Sequence, residues 1–197
     1  VHGTFYRRLR NKLLSHGRES LDSARLTIVS FNYDRSLEHY LFEATRATLN
    51  LSPQDTREAV SAVRFVYPHG CLGRLDELGE NARPFDHTLS REALKVAARG
   101  IVLLHEEDRS REAYETANEA LEAAEDVYFL GLAYHDELMR RLRLPSRAEG
   151  RRVWGTNYGL TKNRTGVVKE RFGVEFMGDG DTRTIEDFLV GRGFFAD

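Results

Sequence analysis

Short, almost unbroken apolar runs alternate with stretches of helical periodicity along this chain, and that alternation narrows its possible folds more than any other feature. Leu26-Thr27-Ile28-Val29-Ser30-Phe31, Val63-Arg64-Phe65-Val66-Tyr67, Ile101-Val102-Leu103-Leu104 and Val127-Tyr128-Phe129-Leu130 read as strands, with Arg152-Val153-Trp154 as a weaker fifth. Runs of this kind suit parallel strands covered on both faces. Between them, Leu37, Tyr40, Leu41, Ala44 and Thr48 repeat at helical spacing, as do Ala113, Ala117, Ala120, Leu121 and Ala124, with Asp108 or Ser110 as the expected cap. Further helices are expected at Phe5 to Leu14, Ser90 to Arg99, His135 to Arg143, Thr161 to Phe172 and Thr184 to Val190. Gly70 to Thr88 and Gly178 to Thr182 read as loops. Strand–helix alternation predicts an α/β fold, a Rossmann-like parallel sheet with helices on both faces. No Pro/Gly/Ser-rich linker divides the chain, so a single domain over residues 1–197 is expected.

Composition excludes several classes. A net charge of −2 with interspersed charges gives no strong field, which argues against a dedicated nucleic-acid or anionic-membrane binder. Cys71 is the only cysteine, so neither an intrachain disulfide nor a cysteine-built zinc site can form. No apolar run is long enough to span a bilayer, and Val1 to Arg10 lack the apolar stretch of a secretory signal. A cytoplasmic location is the expectation.

In open α/β sheets, ligands bind beyond the carboxyl ends of strands. The first strand is followed by Asn32-Tyr33-Asp34, where Asp34 reads either as a helix cap or, with Asn32, as a ligand-facing pair. The second is followed by His69-Gly70: a side chain suited to proton transfer near neutral pH, then a residue that lets the backbone turn or a ligand approach. A histidine in that place is also commonly structural. Gly131 follows the fourth run, and Gly155-Thr156-Asn157-Tyr158-Gly159 the fifth.

Taken together, the series resembles the sirtuin-like superfamily (the DHS-like NAD/FAD-binding type), and its prokaryotic sirtuin-like domains more than the protein deacylases. The resemblance rests on Asn32-Tyr33-Asp34 with Leu37-Glu38, on His69-Gly70 with Leu72-Gly73, and on Phe129-Leu130-Gly131, and spans roughly residues 25 to 160. It implies that Asn32 and Asp34 line the nicotinamide and ribose side of bound NAD, that His69 is a general base acting through that ribose, that Gly70 and Gly131 lie near the cofactor, and that Asn157 touches adenosine. It further implies hydrolysis of the nicotinamide–ribose bond, in a setting such as antiviral defence. Homo-oligomerisation is open.

The chain departs from that pattern in three ways. The family opens with a strand and a Gly-rich phosphate cradle, whereas the 31 residues before Asn32 contain only the isolated Gly3 and Gly17. One cysteine cannot make the deacylases' four-cysteine zinc module, so deacylation is not expected. Their Gly-Thr-Ser turn is Gly131-Leu132-Ala133 here. The first departure and the opening Val1 suggest that the native protein begins upstream, in which case this chain alone binds NAD poorly. A non-catalytic nucleotide-sensing or assembly module is the alternative. A nucleic-acid- or protein-binding role for Arg140, Arg141, Arg143, Arg147, Arg151 and Arg152 is the third, set against a solvated helix end. His105-Glu106-Glu107-Asp108 lacks the spacing of a metal site and reads as a loop leading into a helix.

Overall fold

The computed structural model describes residues 2–73, 85, 90–103, 106–144, 152–176, 185 and 188, with the side chains of 2–4 excepted. In chain order the elements are α1 (His2–Leu13), α2 (Arg18–Asp22), β1 (Leu26–Val29), α3 (Ser36–Leu49), α4 (Pro53–Val60), β2 (Val63–Val66), α5 (Arg91–Gly100), α6 (Glu107–Ala123), β3 (Asp126–Phe129), α7 (Asp136–Arg141), β4 (Arg152–Gly155), α8 (Lys162–Phe172) and β5 (Glu175–Phe176). The fold is mixed α/β with small parallel sheets. The loop readings over 74–84, 86–88 and 178–182 fall outside the described residues, as does most of the last expected helix, of which Ile185 and Phe188 are helical.

The chain divides into two compact units, Arg10–Ala117 and Asn118–Asp197 together with Val1–Leu9. In the Arg10–Ala117 unit, β1 and β2 pair in parallel from Leu26↔Val63 to Val29↔Val66. Parallel neighbours need a crossover, and α3 and α4 supply it. Asn50 ends α3 in the left-handed conformation (φ 50°), which asparagine tolerates better than most residues. Ser52 caps α4, accepting from Asp55 N–H at 3.2 Å, and Pro53 occupies the first helical position, where no N–H is needed. Leu41, Ala59, Val63 and Val66 are buried in this unit.

In the other unit, β3, β4 and β5 form a parallel sheet in that order. Val127 and Phe129 are buried while Asp126 and Tyr128 are half-buried, so β3 alternates where two-sided cover was expected. Thr161 caps α8, and Gly173 closes it at φ 65°. Leu138, Met139, Leu142, Val168 and Val174 form its apolar interior.

Two further expectations change. Residues 101–103 are not a strand: Ile101 makes a single antiparallel bridge to Gly70, and the Leu103 N–H then bonds the Glu106 carboxylate at 2.8 Å, turning the chain into α6. That helix starts at Glu107, so Asp108 and Ser110 lie inside it; the Ser110 hydroxyl is buried and donates to Glu107 O at 3.1 Å.

Candidate functional site

The carboxyl end of β1–β2 gathers four of the residues singled out from the sequence. The pairing continues past the strands through a bond from Ser30 N–H to Val66 O at 2.9 Å. Asn32 and Asp34 follow β1 and are exposed. Asp34 Oδ1 accepts from Ser36 N–H at 3.0 Å and from the Ser36 hydroxyl at 2.5 Å. The cap position itself is Arg35, whose side chain makes no capping bond. Asp34 thus secures the start of α3 from one residue further out, where a carboxylate also favours the helix dipole. After β2 come Tyr67, the buried Pro68, and His69-Gly70. Leu72 N–H donates to Tyr33 O at 2.9 Å, so the turn after β1 is tied to the turn after β2.

His69 is half-buried and held on two sides. Its Nε2 lies 2.9 Å from the hydroxyl of Tyr114, a residue 6% exposed on α6. The Phe31 ring meets the imidazole edge-on, centroids 5.3 Å apart. The expected inward stripe, Ala113, Ala117, Ala120, Leu121 and Ala124, leaves out Tyr114 but shares Ala117 and Leu121 with the buried face. The buried set is Ser110, Tyr114, Ala117, Asn118 and Leu121, a face rotated by about one residue. The spacing i, i+4, i+7, i+11 of Ser110, Tyr114, Ala117 and Leu121 was the available signal.

Gly70 has a packing explanation. It sits at φ 72°, and a Cβ there would lie 1.8 Å from the Gly100 carbonyl oxygen. A Cβ on Gly100 would in turn lie 2.2 Å from Cys71 O. Bonds from Cys71 N–H to Gly100 O (3.0 Å) and from Val102 N–H to His69 O (2.9 Å) draw the two backbones together. The Cys71 thiol is half-buried and donates to Gly73 O at 3.4 Å. Beside it the Tyr67 hydroxyl donates to Glu38 Oε2 at 3.1 Å; burial, then the Glu38 charge, raises its pKa above the ordinary phenol value.

Gly131 and Asn157 belong to the other unit. Gly131 is exposed at φ 68°, and its N–H donates to Thr156 Oγ1 at 2.8 Å. Asn157 is 2% exposed and its carbonyl accepts from Leu160 N–H at 3.0 Å. Contact with an adenosine would require that turn to open. Tyr134, wholly buried at φ 52°, donates to Thr156 O at 3.1 Å, and burial raises its pKa. Its own carbonyl accepts from Arg164, which also binds Asp136 Oδ1 at 2.8 Å. That guanidinium's hydrogen bond, then its charge, lowers the Asp136 pKa.

Three arginines of the cluster make local ion pairs. Arg140 and Arg141 both bind Glu137 on the same helix, and Arg152 binds Asp126 on the neighbouring strand. Arg147 and Arg151 fall outside the described residues, as does His105. Glu106 pairs with Arg109 at 2.7 Å. Among the described residues no group of three or more His, Cys, Asp or Glu is placed to hold a metal ion, and no helix is long and apolar enough to cross a membrane. Compared with known proteins, the chain matches no family model, no curated protein and no solved structure.

Proposed function

We propose that this chain is a sirtuin-like, Rossmann-type domain that binds NAD or a related nucleotide at the carboxyl end of β1–β2 and hydrolyses the nicotinamide–ribose bond. The observation that carries the reading is the joining of two turns. Asn32-Tyr33-Asp34 and His69-Gly70 leave adjacent parallel strands at the same end and are linked through Tyr33 O and Leu72 N–H. The exposed Asn32 amide and Asp34 carboxylate suit the nicotinamide and ribose side of such a ligand, and His69 lies at the neighbouring strand end. In the reaction the C1′–N bond breaks and nicotinamide leaves with the electron pair. An oxocarbenium-like carbon forms, water adds to it, and one proton is released. His69 takes a proton from the ribose or the water, while Asp34 and Asn32 orient the ribose and stabilise developing positive charge.

A non-catalytic nucleotide sensor is the second reading. It is favoured by one observation: His69 and Asp34 already make internal bonds, to Tyr114 and Ser36. Melting with excess NAD or ADP-ribose, with nicotinamide release followed in parallel, separates the two, since a ligand that binds only the native state raises the melting temperature. A rise with release supports the hydrolase. A rise without release supports the sensor. No rise at saturating concentrations of either ligand rejects both.

A further inference from the structure

We propose that Tyr114 is the positioning residue for His69. The inference rests on the reading of His69 as the base. The Tyr114 side chain is fixed because it is buried on the inward face of the 17-residue helix α6. Its hydroxyl meets His69 Nε2 at 2.9 Å, and the Phe31 ring packs edge-on against the same imidazole. Phe31 and Tyr114 also approach each other, centroids 6.4 Å apart, so the three rings form one cluster. With this hydrogen bond and this aromatic edge on the half-buried imidazole, its ring plane is set. The tautomer follows from the direction of that bond, and the proposal is that Nε2–H donates and the Tyr114 oxygen accepts. With Nε2–H donated to the Tyr114 oxygen, the neutral ring has its lone pair on Nδ1, and proton exchange with a substrate falls to that atom. When His69 becomes imidazolium, the same Nε2–H bond becomes charge-assisted and stronger. Tyr114 thus selects the reactive nitrogen without touching substrate.

Tyr114→Phe in the full chain tests this, because it removes the hydroxyl and keeps the ring. Side-chain ¹⁵N NMR of His69 reads the tautomer, and steady-state nicotinamide release from NAD reads kcat and KM. The expected result is Nε2-protonated His69 in the native chain and mixed tautomers in the variant. kcat should fall by about tenfold to a hundredfold with KM within about twofold, and the circular dichroism spectrum should be unchanged. An unchanged His69 tautomer in Tyr114→Phe overturns the proposal. A changed tautomer in a chain whose native form releases no nicotinamide keeps the positioning role and rejects hydrolysis. Should Tyr114→Phe fail to fold, the native chain still decides, since an Nδ1-protonated His69 contradicts the assigned hydrogen bond.

Discussion

At residue 70 the backbone leaves room for glycine alone. A side chain would meet the Gly100 carbonyl at 1.8 Å, in a left-handed conformation at φ 72°. Gly70→Ala should therefore destabilise the fold by on the order of 2–4 kcal/mol in urea unfolding. Gly100→Ala should do similar harm, and the double variant should cost less than the sum because both press on one contact. If Gly70 serves a ligand and has no packing role, Gly70→Ala unfolds like the native chain. Tyr67 and Tyr134 give a second prediction. Burial holds both phenols neutral in the fold at a pH where the unfolded chain ionises them, near about 10. Their folded pKa lies above the unfolded one, so their contribution is fully present below that pH and lost as pH rises beyond it. Tyr134→Phe should flatten the alkaline loss of stability above about pH 10; an alkaline limb as steep as the native one would contradict this.

Among the elements, helix ends are where single polar side chains decide most. Ser52→Ala removes the acceptor for Asp55 N–H at the start of α4 and should cost about 1 kcal/mol in denaturant unfolding. Asn118 is 6% exposed, donates to Arg141 O at 3.0 Å and accepts from Arg143 N–H at 2.9 Å, closing the end of α7. Asn118→Ala leaves both backbone groups without that partner and should cost about 1–3 kcal/mol. A loss as small as that of an exposed substitution would show that water replaces the amide. Apolar runs and caps made many elements legible: 26–29, 63–66, 126–129 and 152–155 are strands, and Ser90 and Thr161 begin helices. The segment at 101–103 looked the same in sequence, yet its partner at 69–70 is a turn, and pairing needs a neighbour that a local pattern does not reveal. The short α4 was not foreseen, although Ser52-Pro53 is a start signal. That Asn32, Asp34, His69 and Gly70 share one end of β1–β2 was legible from their places directly after two apolar runs. Tyr114 was harder to find: its spacing with Ser110, Ala117 and Leu121 competes with the alanine stripe, and which face of α6 turns inward depends on what packs against it.

The whole chain has two compact units, each with its own small parallel sheet. Asn32, Asp34, His69 and Gly70 belong to the Arg10–Ala117 unit, and Gly131 and Asn157 to the other. Chemistry at His69 is therefore the most direct probe. The decisive measurement is nicotinamide release from NAD at about 1 mM and above, comparing the native chain with His69→Ala under conditions where both are folded. The account predicts release by the native chain and a loss of at least about a hundredfold in the variant. Equal release by the two, or none from the native chain, would contradict it.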